Sequence, residues 1–289
     1  MKGTGVALVT PFKKDHSIDF NALANIVDHV INGGVEYVVA LGTTGESPTL
    51  NKEEKKKVYA FISEQVKGRV PCVAGIGGNN TQEVVETIQS FDFSKFDAIL
   101  SVSPYYNKPN QEGIFLHYLE LAKVSPKPII IYNVPGRTGS TVSATTTLRL
   151  ANASNNFIAT KEASGNAEQF MDILKDKPEK FAVISGDDNL TLPYLALGMS
   201  GVISVIANAF PKNYSEMVRL GLKGDFESAR KLHFKLYDAM KMIFADGSPG
   251  GIKVILNELG LCENIVRMPL APVNASIEQK LRALATSLK

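Results

Sequence analysis

Eight short apolar runs, rich in β-branched residues, recur along this chain at roughly the 25 to 30 residue spacing of a β/α unit. They are Gly5–Val9, Glu36–Leu41, Val70–Ala74, Ala98–Val102, Ile129–Tyr132, Phe157–Lys161, Ala182–Ser185 and Val202–Ile206. A strand that is apolar almost without interruption is buried on both faces, as in a parallel sheet covered by helices. Five of the runs lead into polar, glycine-rich tails: GTTGES (42–47), SPYYNKP (103–109), NVPGRTG (133–139), KEASG (161–165) and SGDD (185–188). Chemistry collected at the carboxyl ends of many successive strands is the arrangement of a (β/α)8 TIM barrel, which builds its active site from the loops at that rim. A doubly wound open sheet is the alternative, but it gathers its ligand contacts at one switch point. The 289 residues exceed the length such a barrel needs.

Helical periodicity fills the gaps. Asp19–Ile31 carries Leu23, Ile26, Val27 and Val30 on one stripe, and Asn51–Val66 opens with an Asn cap followed by two glutamates. Thr81–Gln89, Gln111–Ala122, Ala167–Leu174 and Leu190–Leu197 follow the same pattern, and Ser143–Leu150 does so more weakly. From Pro211 to Lys289 only helical segments are expected, with breaks at Gly224, Asp246–Gly251 and Pro269–Pro272. The chain therefore divides into a catalytic barrel over residues 1–225 and a C-terminal helical appendage over 226–289.

Several function classes are set aside at this stage. A net charge of +2 offers no electrostatic footprint for nucleic acid or an anionic membrane. No apolar run has the length of a membrane span, and MKGTGVALVTPF lacks the pattern of a signal peptide. With Cys72 and Cys262 far apart, two reduced thiols in a cytoplasmic protein are expected. His16, His29, His117 and His233 have no ligand spacing, so no metal is expected. Asp187 and Asp188 sit where a barrel would hold phosphate, which argues against a phosphorylated substrate. GIGGNN (75–80) matches neither a dinucleotide fingerprint nor a P-loop.

Lys161 stands out among the polar residues. It ends an apolar strand, and period-2 alternation puts it on the same face as Phe157 and Ala159, with Glu162 opposite. At that rim a partly desolvated amine attacks a carbonyl to form a Schiff base. An ordinary lysine is neutral in only about one molecule in 2,500 at pH 7, so the setting has to supply the reactivity. GTTGES offers an anion site, with close backbone approach at its glycines and the amides of Thr43 and Thr44 available to a carboxylate. Arg137 in NVPGRTG carries a planar fork able to pair bidentately with a carboxylate.

Taken together, LGTTGESPTL, SPYYNKPNQEG, YNVPGRTG, IATKEASGN, ISGDD and GVISVIAN, in this order and spacing, closely resemble the dihydrodipicolinate synthase family. That family belongs to the pyruvate-dependent class I aldolases, which also include N-acetylneuraminate lyase. The resemblance runs from about residue 3 to the carboxyl terminus. It implies condensation of pyruvate with L-aspartate 4-semialdehyde on the route to diaminopimelate and lysine, with no cofactor beyond the covalent imine on Lys161. It implies that Tyr132 moves protons to and from the imine, relayed through Thr44 and Tyr106, with Tyr106 reaching in from a neighbouring subunit. Thr43 and Thr44 would bind pyruvate's carboxylate, Gly186 and Ile203 would line its pocket, and Arg137 would hold the semialdehyde's carboxylate. It also implies a homotetramer built as a dimer of dimers.

Many relatives are inhibited by lysine, and the corresponding residues here are Ser47, Lys52, Lys55, Asn79, Glu83 and Tyr105. Sensitive relatives carry histidines where this chain has Lys52 and Lys55, and alanine where it has Pro48. Two ammonium groups beside a cationic effector are unfavourable, so weak inhibition is expected. A keto-sugar-acid aldolase and a non-catalytic relative are the alternatives. Arg137 argues against the first, and the intact Lys161, Tyr132, Thr44 and Tyr106 against the second.

Overall fold

In a computed structural model, which describes all 289 residues, the eight strands form one closed, all-parallel barrel. They are β1 (Gly3–Ala7), β2 (Tyr37–Ala40), β3 (Cys72–Gly75), β4 (Ala98–Val102), β5 (Ile129–Asn133), β6 (Phe157–Glu162), β7 (Ala182–Ser185) and β8 (Gly201–Ser204). Alternation along each strand separates two cores. Ala7, Val39, Val73, Leu100, Ile130, Ala159, Ile184 and Ile203 fill the barrel interior. A much larger set, including Val6, Val38, Ala74, Ile99, Ile131 and Val202, meets the surrounding helices.

Helix starts follow the polar residues that the sequence offers. Asp19, Asn51, Asn80, Asn110, Ser143, Asn166, Asp225 and Asn274 each accept a first-turn amide through the side chain. Asn51 and Glu54 form a reciprocal capping box ahead of the helix Lys52–Val66. Each cap satisfies a backbone donor that would otherwise lie orphaned at a helix end.

Several expected boundaries move by one or two residues, among them β3, which runs Cys72–Gly75 rather than Val70–Ala74. The first strand is Gly3–Ala7 rather than Gly5–Val9, because Asn208 Oδ1 takes the Val9 amide (3.2 Å) and turns the chain away. The last is Gly201–Ser204 rather than Val202–Ile206, because the Asp188 carboxylate accepts the amides of Val205 (3.1 Å) and Ile206 (2.8 Å). The expected helix Leu190–Leu197 begins only at Thr191, after a single 3-10 turn over Asp188–Leu190. At both strand ends a side chain intercepts a backbone donor that the apolar pattern assigned to the ladder.

Beyond β8 the helices Pro211–Leu222, Phe226–Met242, Gly250–Glu258 and Ala275–Leu288 follow, the last two separated by a non-helical stretch longer than Pro269–Pro272. No helix is long and apolar enough to cross a membrane. Both cysteines are free and buried, and burial pushes each thiol up to about 12.

Barrel closure is steric as well as hydrogen-bonded. At the seam Gly3 pairs with Gly201, and a Cβ on Gly201 would lie 2.0 Å from the Gly3 carbonyl oxygen. Gly201 also holds φ 156°, which L side chains rarely adopt. Next to it, Gly5 leaves room for the Tyr37 ring, whose hydroxyl donates to the Val202 carbonyl (3.2 Å) and fills the barrel floor. We expect Gly201→Ala to destabilise the fold by about 1–3 kcal/mol, the range for forced overpacking. Thermal unfolding would measure this, and an unchanged melting temperature would contradict the close seam.

Candidate active site

Tyr132 on β5 and Lys161 on β6 are register partners, and so are Asn133 and Glu162 one position later. Alternation sends the first pair into the barrel mouth and the second pair outward towards the helices. Lys161 and Tyr132 are only 5% and 6% exposed, and Lys161 Nζ stands 4.2 Å from the centroid of the Tyr132 ring. A primary amine thus lies over an aromatic face, with a phenol on the adjoining strand and little water around either.

The wall next to the lysine is made of backbone. A Cβ on Gly186 would lie 2.5 Å from Ala163 Cβ and 3.1 Å from Lys161 Cε, so a larger residue would clash with Ala163 and crowd the lysine chain. Ile203 on β8 is fully buried in the interior cluster. Asp188 is buried, and through the Val205 and Ile206 amides it ties the β7 loop to the β8 loop. Burial pushes the Asp187 carboxyl up to about 6, opposed by the positive charge of Lys161.

Thr43 and Thr44 lie in a 3-10 turn after β2, with Thr44 buried. The turn is closed by Gly45 N donating to Gly42 (3.0 Å) and Glu46 N to Thr43 (3.1 Å), which leaves the Thr43 and Thr44 amides without backbone partners. Arg137 lies exposed in a single helical turn, Pro135–Thr138, after β5. Asn133 pins this loop by accepting the Val142 amide (2.9 Å) while donating to Glu162 (3.0 Å). Tyr106 is the exception: it is 88% exposed at φ 72°, on a loop tethered to Thr138, whereas Thr44, Tyr132 and Lys161 are buried.

Of the possible effector residues, Asn79 and Tyr105 come together, with Asn79 Nδ2 donating to the Tyr105 carbonyl (3.1 Å). Glu83 lies exposed in the first turn of the helix Thr81–Ser90, and Ser47 is half-buried beyond the Thr43–Gly45 turn. Lys55 is half-buried near Lys52; burial, reinforced by the Lys52 charge, pushes its ammonium below the usual lysine range.

Sequence reasoning assigned no role to three groups in contact with these loops. Glu46, inside GTTGES, is buried and paired with Lys253, 207 residues away. Arg267 reaches the same carboxylate through its backbone amide. Asn133 works behind the wall rather than in the pocket. Two charges in unlikely settings were the available signal: Glu46 inside the glycine-rich turn and Lys253 within the apolar helix GGIKVILNE. No cluster of three or more His, Cys, Asp or Glu side chains with metal-binding geometry is present.

The family model for the dihydrodipicolinate synthetase family matches residues 1–288. The chain belongs to that family. It is 56% identical over 279 residues to the 4-hydroxy-tetrahydrodipicolinate synthase of Flavobacterium psychrophilum, covering 96% of this chain and 95% of the relative. The crystal structure of the dihydrodipicolinate synthase from Aquifex aeolicus superposes with a TM-score of 0.96 at 41% identity, covering 99% of this chain and 97% of that one. A monomeric dihydrodipicolinate synthase variant superposes with a TM-score of 0.97 at 35% identity, over 100% and 97% of the two chains.

Behind the lysine, Glu162 is enclosed by Asn133, Ser164, Gln169 and Thr160, and burial pushes its carboxyl from 4.5 up to about 7. Folding therefore holds its proton more tightly, and ionising it as the pH rises from about 4.5 through 7 removes stability. Glu162→Gln keeps acceptors for Asn133 and Gln169 without the charge. We expect the variant to gain stability relative to the parent between pH 5 and pH 8, by up to about 3 kcal/mol. Urea unfolding at the two pH values checks this, and a pH-independent difference would refute it.

Proposed function

We propose that this chain condenses pyruvate with L-aspartate 4-semialdehyde to 4-hydroxy-tetrahydrodipicolinate, as the names of its relatives suggest. The observation that carries the reading is the Tyr132–Lys161 register pair, an amine and a phenol held over one buried pocket. The Lys161 amine attacks the C2 carbonyl of pyruvate, and the carbinolamine loses water to give the imine. Tyr132 supplies the proton that the departing hydroxyl needs. Loss of a methyl proton forms the enamine, whose C3 attacks the aldehyde carbon of the second substrate. The alkoxide so formed takes up a proton. The substrate's amino group then adds to C2, and expulsion of the lysine amine closes the ring.

In this reading the Thr43 and Thr44 amides hold the pyruvate carboxylate, Gly186 and Ile203 shape its pocket, and Arg137 receives the carboxylate of the semialdehyde. The exposure of Arg137 suits a group that must meet an incoming anion at the rim. Tyr106 completes the hydroxyl relay with Thr44 and Tyr132 from a second copy of the chain. Its near-complete exposure and its strained φ favour that over a role within one subunit. The assembly is accordingly at least a dimer, and a tetramer of two such dimers follows the family. No cofactor is needed, because the imine supplies the electron sink. A cytoplasmic setting agrees with the two free, buried thiols.

Borohydride reduction in the presence of pyruvate should fix a pyruvate-derived adduct on Lys161, and adding the semialdehyde should deplete it through turnover. Lys161→Ala should abolish the adduct. Arg137→Ala should raise KM for the semialdehyde by roughly 10- to 100-fold, the loss of a charge-assisted pair, while leaving pyruvate trapping intact. An absent adduct would remove the Schiff-base mechanism. An adduct that the semialdehyde leaves untouched would move the acceptor to another aldehyde.

For regulation, Lys52 and Lys55 stand at the positions where the family resemblance puts histidines in sensitive relatives. We expect lysine at millimolar concentration to leave the initial rate nearly unchanged; half-inhibition in the micromolar range would overturn this.

A further inference from the structure

The turn that carries Thr43 and Thr44 ends at a residue under unusual constraint. Glu46 adopts the left-handed conformation (φ 53°, ψ 33°), which non-glycine residues enter only when their surroundings hold them there. Its side chain is fully buried, and both oxygens are occupied. Lys253 Nζ donates to Oε1 at 2.5 Å and Arg267 N donates to Oε2 at 3.0 Å. Lys253, also without exposed surface, donates further to the Ile265 carbonyl (2.7 Å) and stands 4.2 Å from the centroid of the Phe12 ring. The Arg267 guanidinium continues the chain of contacts to Glu54 (2.7 Å), in the capping box of the following helix, and to the His16 carbonyl (2.7 Å).

The backbone of Glu46 is equally engaged. Its amide closes the turn on the Thr43 carbonyl (3.1 Å), and its carbonyl accepts the Thr49 hydroxyl (3.0 Å). The preceding carbonyl, Gly45 O, accepts Thr10 Oγ1 at 2.6 Å. The orientation of Glu46 therefore fixes the orientation of the two amides before it. A buried ion pair is a poor device for stability alone, since well-packed apolar groups do as well or better. What the pair supplies is direction, through two hydrogen bonds that hold only one orientation of the carboxylate.

We propose that Glu46, Lys253 and Arg267 act as positioning residues for the Thr43–Thr44 turn, making the C-terminal helical region part of the substrate-carboxylate site. This rests on the reading that the turn binds the carboxylate of pyruvate. Lys253 contributes in a second way. It neutralises Glu46, which otherwise would present an uncompensated anion two residues from Thr44 and repel the incoming carboxylate. The charge of Glu46 is thus spent on holding the turn and not on its ligand.

The test uses borohydride trapping on Lys161 with pyruvate and with the neutral pyruvamide, in the wild type, in Lys253→Met, and in the double variant Glu46→Gln/Lys253→Met. The double variant leaves no unpaired buried ion and so safeguards folding, which thermal unfolding monitors in parallel. We expect the wild-type preference for pyruvate over pyruvamide, as the ratio of apparent affinities in imine formation, to fall about tenfold or more in both variants. A general loss of structure would instead slow both ketones alike. A preference that stays unchanged in both variants overturns the brace. Absence of any wild-type adduct overturns the catalytic reading and this inference with it, and so the two failures are distinguishable.

Discussion

Pairing of β8 with β1 is the contact on which the other features rest, because it turns an eight-stranded sheet with two edges into one with none. A closed parallel sheet has all its strand carboxyl ends at one rim and all its side chains sorted into interior and exterior sets. Closure demands that the first and last strands approach more tightly than side chains permit, which is why Gly3 and Gly201 face each other at the seam. Open the seam, and the loops after β2, β5, β6 and β7 no longer converge.

The inward and outward sets then divide the chemistry between them. Inward, Lys161 and Tyr132 meet, with Ile203 buried in the interior cluster and Gly186 leaving room for the lysine chain. Outward, the very next residues, Glu162 and Asn133, bond to each other and hold the loop that carries Arg137. One strand position thus faces the barrel mouth, while its neighbour holds the loop behind it. The same division recurs at Asp188, which is buried and spends its carboxylate on the backbone amides that end β8.

Much of this was legible beforehand. The apolar runs located all eight strands, and the cap expected at Asn51 is present. Alternation placed Lys161 with Ala159, which does face the interior, but Phe157, expected on the same face, packs in the outer cluster because the β5–β6 register shifts at Ile129/Ile130. Strand ends near Val9 and Ile206 were overextended because the residues there are apolar enough to continue. What stops them is an Asn208 or Asp188 side chain arriving from another loop. No local pattern announces such an interception.

The limit is clearest at Glu46 and Lys253. Each is visible in the sequence as a charge in an odd place, one inside a glycine-rich turn and one inside an apolar helix. Their pairing is not, because hydrophobic periodicity records which face of an element is buried and says nothing about which buried charges meet across 207 residues. The sequence by itself determined the architecture, the rim at which chemistry gathers and the inward-facing lysine, since these follow from periods set by backbone geometry. Only the tertiary structure decided which carboxylate meets which amine, which amides are left free and where each strand stops. Those outcomes depend on distances between segments that the chain's local preferences do not encode.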